Sequence, residues 1–346
     1  MKTEAAILVS TTKPLEIVDI EIPKLKQGQV LIELYFSGIC GTQLMEIDGK
    51  KGKDIWLPHC LGHEGIGKVV EKHSSVSKVK IDDTVVLSWI KGSGIEAGGA
   101  KYKWGKSTVN AGSITTFQKF AVISENRITK YTTKKSSHLD VLLGCAAPTG
   151  MGAVKKVLNA TSGQSLIVFG IGGIGLCSIL MAKELGLDPI VAIDKSEARL
   201  ELAKKCGATA AYNSNEHGHQ NLLDKFCDTG FDFAVEATGN ISVMENILDH
   251  VKNKTGRSVI VGNAPHNTKF LINPNELNAG KSIMGTWGGN SCPEEDLQTY
   301  AEILHKNDLN LSELSTTQFS LKDANLAIDS MRDLKETRSI IDMSLA

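Results

Sequence analysis

The sequence predicts an α/β protein of two domains, one β-rich and one a doubly wound parallel sheet. Three observations carry that prediction. The chain has 346 residues, roughly two domains at ~150 residues each. Its first part, roughly to residue 145, holds short β-branched runs bounded by Gly, Pro, Asp or Lys. From about residue 150 to 285, strand-like and helical segments alternate, which argues for βαβ units and a parallel sheet.

In chain order, Ala5–Val9, Val30–Leu34, Gly67–Glu71 and Asp83–Leu87 read as strands of the first domain. Lys91–Gly112 differs: it carries Gly92, Gly94, Gly98, Gly99, Gly105 and Gly112 with several lysines, and reads as a long exposed loop or lobe. The strand-like runs Ser165–Phe169, Ile190–Ile193, Phe231–Glu236 and Ser258–Gly262 then alternate with helical Ile174–Leu185, Ser196–Cys206 and Ile241–Val251. Helices over Pro293–His305 and Leu321–Arg332 and a short strand Ser339–Met343 follow.

Composition excludes several classes. With 38 Lys+Arg against 39 Asp+Glu, the net charge of -1 gives no electrostatic reason to expect nucleic acid, nor a strongly charged disordered chain. The 7 Cys are scattered and odd in number, as in a cytoplasmic protein with free thiols rather than a disulfide scaffold. The N-terminus has no apolar stretch with a cleavage site. Ser165–Ala182 carries no charge, but Gly170, Gly172, Gly173 and Gly175 fit a buried strand-turn-helix better than a membrane span. Glycine is in excess, 33 residues against the usual ~7%, which implies tight turns or backbone pressed against ligands.

Val168-Phe169-Gly170-Ile171-Gly172-Gly173-Ile174-Gly175 is a G-x-G-x-x-G that follows an apolar strand and opens an apolar helix. The first Gly turns the strand, the second lets backbone approach a pyrophosphate, and the third lets helix and strand pack closely. The helix N-terminus offers N–H groups and a positive dipole end to the phosphates. Asp194, ending the next strand-like run, supplies the acid expected about 20 residues on. A carboxylate there accepts from ribose hydroxyls and repels a 2′-phosphate, so it favours NAD over NADP.

Cys40, His63 with Glu64, and Cys145 sit in Gly-flanked segments, Gly38-Ile39-Cys40-Gly41-Thr42, Gly62-His63-Glu64-Gly65 and Gly144-Cys145 running to Pro148-Thr149-Gly150. Two thiolates and an imidazole suit Zn²⁺, and three protein ligands leave a fourth position for water or substrate. These segments and the dinucleotide loop, in this order along essentially the whole chain, resemble the zinc-dependent alcohol dehydrogenases of the medium-chain dehydrogenase/reductase superfamily. The resemblance implies a GroES-like catalytic domain over residues 1–148 and 287–346, and a Rossmann NAD-binding domain over 149–286. It implies catalytic zinc on Cys40, His63 and Cys145, with Glu64 beside the metal or as an occasional ligand. Thr42 resembles the hydroxyl that takes the proton of the alcohol, and Trp89 a residue lining the substrate pocket. Thr149 resembles a nicotinamide contact, Arg199 an adenosine-ribose cation and Arg338 a pyrophosphate contact; Thr238 and Val261 join this cofactor-binding set. It implies a homodimer or homotetramer, for which an exposed sheet edge near Ser258–Pro274 is the expected place.

The sequence departs from the family pattern in three ways. No Cys lies between Cys60 and Cys145, so the four-cysteine structural zinc is not expected and one zinc per chain is. Gln43 stands where an Asp commonly orients the zinc-bound His; its amide oxygen is expected to take that role. Met45 stands where a relay histidine often lies, leaving proton release to Thr42 and the cofactor ribose, or to His59. The expected activity is hydride transfer between NAD and a primary or secondary alcohol, polyols and sugar derivatives included. A sorbitol- or threonine-type dehydrogenase is the alternative within the class, and a non-catalytic dinucleotide-binding protein the alternative outside it.

Overall fold

A computed structural model describes residues 1–132, 137–215, 229–307, 317–333 and 337–345. The chain divides into two compact units. The first comprises Met1–Cys145, Cys292–Gln298 and Ser315–Ala346; the second comprises Ala146–Ser291 and Thr299–Leu314.

The first unit holds a closed barrel of five short strands and a seven-stranded sheet. The barrel runs through Lys2–Leu8, Glu16–Glu21, Lys101–Trp104, Ser107–Asn110 and His59–Cys60. The strand Gln29–Gly38 is central to the sheet, pairing with Glu64–Lys72, Phe120–Ser124 and Ile340–Asp342. Val30, Ile32 and Leu34 on one of its faces join the main core cluster, and Leu31 on the other joins the barrel's cluster. Burial on both faces explains why Val30-Leu31-Ile32 is apolar at consecutive positions rather than alternating. The register Ser37↔Gly65 places Cys40, two residues beyond one strand, at the same sheet end as His63, the residue before the other.

The lobe expected over Lys91–Gly112 is in part a hairpin. Lys101–Trp104 pairs with Ser107–Asn110, turned by Gly105 at φ +57°. Its Tyr102 is fully buried, with the ring hydroxyl accepting from Val122 N at 2.8 Å. Carboxylates order the rest. Glu125 accepts from the backbone of Ser77, Lys78 and Ile95 at 2.8, 3.0 and 2.9 Å. Glu96, engaged by Lys91, Asn126, Arg127 and Ser113, has its pKa held down to about 2, chiefly by the Lys91 ammonium.

The second unit is a six-stranded parallel sheet in the order Ala210–Asn213, Ile190–Asp194, Leu166–Phe169, Phe233–Glu236, Arg257–Ile260, Ser282–Gly285. This is the doubly wound arrangement, with the reversal of strand order beside Leu166–Phe169, where such sheets bind their ligands. The expected edge at Ser258–Pro274 is corrected. Arg257–Ile260 pairs on both sides, and Ser282–Gly285 is the edge strand at that end of the sheet. The helical run expected over Ile241–Val251 is a helix Ile241–Asn246 followed by a 3-10 turn Ile247–His250. Among the described residues, no helix is long and apolar enough to cross a membrane. Six cysteines among them form no disulfide; Cys227 lies outside the described residues.

Candidate metal centre and dinucleotide loop

Three chain segments bring Cys40, His63 and Cys145 together. Cys40 ends the run after Gln29–Gly38 and is the N-cap of the helix Gly41–Ile47. His63 precedes Glu64–Lys72, and Cys145 follows the 3-10 turn His138–Gly144. Ser88 Oγ donates to Gly144 O at 2.7 Å and fixes that turn. Gly144 has to be glycine: a Cβ there would lie 2.3 Å from Leu87 O and 2.8 Å from Glu64 Cβ. One ligand atom from each of the three side chains lies within 4.8 Å of the others.

The spacing fits a tetrahedral metal. Two thiolates at about 2.3 Å from zinc, with a tetrahedral angle between them, sit about 3.8 Å apart; the Cys145 and Cys40 sulfurs are 4.0 Å apart. His63 Nδ1 meets Gln43, while Nε2 is buried and carries no hydrogen bond. The donor set, two sulfurs and one imidazole nitrogen, is that of a zinc site with a position left open.

Electrostatics at the cluster match its chemistry. The Cys145 thiol donating to Cys40, aided by the Arg338 charge, holds Cys40 well below the ordinary thiol range despite burial. The bond to Cys40, together with burial, pushes Cys145 up. Burial works against protonation of His63, but the Cys40 sulfur prevails and raises its pKa. A divalent cation bound here would remove this difference, because each coordinating thiol loses its proton outright.

Glu64 and Arg338 form a buried ion pair beside the cluster, with Arg338 Nη2 donating to Glu64 Oε1. Burial pushes the Glu64 carboxyl up, against the pull of Arg338. Glu64 is therefore not among the three converging ligands. Arg338, expected at the cofactor pyrophosphate, is 3% exposed with its guanidinium on Glu64. Thr42 is the second residue of the helix Gly41–Ile47, and Trp89 packs edge-on to His63 with ring centroids 6.5 Å apart.

Gln43 meets His63 differently from expectation. Its Oε1 accepts from Cys40 N at 2.9 Å, and its Nε2 faces His63 Nδ1 at 2.6 Å. An imidazole that ligates through Nε2 carries its proton on Nδ1 and needs an acceptor there. Turning the amide over supplies one, at the cost of the Cys40 bond.

The dinucleotide loop lies in the second unit. Gly172 caps the helix Gly173–Leu185, which begins Gly173-Ile174-Gly175 and has no side-chain cap. Gly170 has φ +88°, and a Cβ on Gly175 would lie 2.0 Å from Gly170 O, so strand and helix pack without room for a methyl group. A Cβ on Gly172 would meet nothing within 4 Å, which leaves that backbone open to a ligand. Asp194 ends Ile190–Asp194; its carboxylate accepts from Ile171 N at 2.6 Å, and Arg199 Nη1 is 4.0 Å away. Thr149 is buried in the helix Ala146–Gly152, its hydroxyl carrying no hydrogen bond.

Sequence reasoning missed Glu236. Its Oε1 accepts from Thr238 N at 2.7 Å, from Gly239 N at 2.9 Å and from the Thr238 hydroxyl, and its backbone carbonyl takes Val261 N at 2.9 Å. It thus organises the Thr238 and Val261 loops as a unit. An acid ending a strand, Val235-Glu236, is the same signal that identified Asp194.

Comparison with known proteins agrees with this geometry. The family model "Alcohol dehydrogenase GroES-like domain" matches residues 26–133, and "Zinc-binding dehydrogenase" matches residues 173–306. An S-(hydroxymethyl)glutathione dehydrogenase of Synechocystis sp. is 31% identical, over 99% of this chain and 100% of that protein. The chain belongs to the zinc-dependent alcohol dehydrogenases of the medium-chain dehydrogenase/reductase superfamily. Two solved members share the fold of this alcohol dehydrogenase. A Burkholderia ambifaria alcohol dehydrogenase zinc-binding domain protein matches with a TM-score of 0.90 and 25% identity, over 99% of both chains. The benzyl alcohol dehydrogenase of Acinetobacter calcoaceticus matches with a TM-score of 0.87 and 26% identity, over 99% of both chains.

Proposed function

We propose that the protein is an NAD-dependent zinc alcohol dehydrogenase acting on a primary or secondary alcohol, polyols and sugar derivatives included. The observation that carries this reading is the convergence of Cys40, His63 and Cys145, with sulfurs 4.0 Å apart. Bound zinc supplies Lewis acidity toward an alcohol or carbonyl oxygen, and bound NAD the hydride acceptor or donor. Cys40 and Cys145 hold the metal as thiolates, whose two charges balance the dication and make a partly apolar surround tolerable. The Thr42 hydroxyl takes the proton of the alcohol, and Trp89 walls the site. Gly172 and the N-terminus of Gly173–Leu185 receive the pyrophosphate, and Asp194 the adenosine ribose, for which its place at the strand end is the support. A homodimer or homotetramer in the cytoplasm belongs to the same reading. The edge strand Ser282–Gly285, with Trp287 78% exposed just beyond it, supports the assembly.

The test is NAD⁺ reduction across primary alcohols, polyols, amino alcohols and sugar nucleotides, with zinc quantified beforehand. Turnover with about one zinc per chain is expected. Dinucleotide binding with neither zinc nor turnover would return the protein to a non-catalytic role.

A further inference from the structure

The first unit contains a cavity of about 630 Å³ that reaches from His63 and Gln43 to the loop 51–56 and the strands His59–Cys60, Lys101–Trp104 and Ser107–Asn110. One water occupies about 30 Å³ of liquid volume, so a short-chain alcohol leaves most of this space empty. Hydrogen bonds tie the loop 51–56 to the strand Ser107–Asn110. Asn110 Nδ2 donates to Trp56 O at 2.8 Å, and Trp56 N donates to Asp54 Oδ1 at 2.8 Å.

Its charges are unevenly committed. Glu46, Lys51, Lys53, Asp54, His59 and Lys101 line it. Both acids are engaged: Glu46 by Lys51 Nζ at 3.1 Å, and Asp54 by His59 Nε2 at 2.8 Å. His59 Nδ1 lies 2.9 Å from Cys60 O, so the ring is held from both sides. Lys53 and Lys101, both exposed, line the same cavity and have no acid partner among the described residues, whereas the acids beside them are already paired. Apolar surface from Trp56, Leu61 and Ile114 lies alongside.

We propose that this cavity receives the body of the substrate, and that Lys53 and Lys101 bind an oxyanionic group, carboxylate or phosphate, carried by the alcohol away from its reacting oxygen. The inference rests on the alcohol dehydrogenase reading above and adds the substrate class. An apolar or aromatic body lies against Trp56 and Ile114, and the anion closes the far end. Two charge-assisted contacts at a partly exposed position weigh about tenfold in selectivity.

The experiment compares kcat/KM for benzyl alcohol, 4-(hydroxymethyl)benzoate and 4-(hydroxymethyl)phenyl phosphate in the zinc-loaded enzyme. The anionic-to-neutral ratio is expected to be about ten in the native protein, to fall to about one in K53A/K101A, and to drop below one in K53E/K101E. It should also shrink in high salt, where the screening length contracts. The larger of the two anionic ratios identifies the source of the charge. Calorimetric binding of 4-(hydroxymethyl)benzoate to native and K53E/K101E protein is measured independently of turnover. No turnover of any alcohol, with binding lost in K53E/K101E, would refute the reading of function and keep the anion site. Ratios and binding unchanged across the variants would overturn the anion site.

Discussion

Arg338→Met tests the buried pair beside the metal cluster. Arg338 is 3% exposed and Glu64 0%, so the substitution leaves a carboxylate without water and without its cation. Breaking a buried pair from one side costs about 3–5 kcal/mol. Glu64 has an escape that sets a ceiling, because it can take up a proton. From an unfolded value of 4.5, protonation at pH 7 costs about 3.4 kcal/mol, at 1.36 kcal/mol per pH unit. A loss of about 3 kcal/mol at pH 7 is therefore expected. Its pH dependence carries a sign. In the variant the folded-state pKa of Glu64 lies above the unfolded value, so the folded state holds the extra proton and stability falls as pH rises. The deficit should shrink steadily from pH 7 toward pH 4.5. Urea unfolding followed by tryptophan fluorescence at several pH values measures it, with E64Q/R338M as the control that removes the charge itself. A deficit under 1 kcal/mol at pH 7, or one that does not change with pH, would refute the reasoning.

Three further outcomes follow from the same geometry. Thr42→Val should lower kcat by ~10²-fold or more, since Met45 offers no alternative relay; steady-state turnover near the native rate would show that the proton leaves elsewhere. Gln43→Glu keeps the shape while giving His63 Nδ1–H an acceptor and leaving the second oxygen for Cys40 N. Zinc affinity should rise about tenfold in a chelator competition, and an unchanged affinity would remove Gln43 from the orientation of His63. Glu96 and Glu294 have pKa values held down to about 2, the first mainly by Lys91, the second against burial by Lys78. Their contribution is present above the unfolded carboxylate range and is lost as pH falls from about 4.5 toward 2. Glu96→Gln should flatten that part of the acid unfolding curve, and an unaltered curve would contradict the role given to the lobe's carboxylates.

Much of this molecule was legible because its signals are local. The turn Gly170–Gly175 follows a strand and the acid Asp194 ends the next, and backbone geometry leaves little choice there. Cys40, His63 and Cys145 were legible through the glycines around them, which the structure explains by close packing of Gly38 and Gly144 on Glu64. Arg338 was not legible. Its partner Glu64 is 274 positions away, and no periodicity links residues at that distance. The hairpin Lys101–Asn110 was hidden by its lysines, although Lys101-Tyr102-Lys103-Trp104 does alternate and Tyr102 is the buried member. The edge strand is not readable from sequence because Ser258–Gly262 and Ser282–Gly285 are both short β-branched or apolar runs, and only pairing distinguishes a fifth strand from a sixth. The face that the Gln43 amide turns to His63 depends on the competing Cys40 N–H, which sequence does not display.

Everything proposed for the active centre depends on Cys40, His63 and Cys145 holding a single zinc in an otherwise cysteine-poor chain. Elemental analysis combined with zinc X-ray absorption on the purified protein tests it most directly. About one zinc per chain is expected, with two sulfur neighbours at about 2.3 Å and nitrogen or oxygen neighbours at about 2.0–2.1 Å, and loss of the metal in Cys145→Ser. Two equivalents of zinc, a four-sulfur shell, or full zinc retention in Cys145→Ser would contradict it.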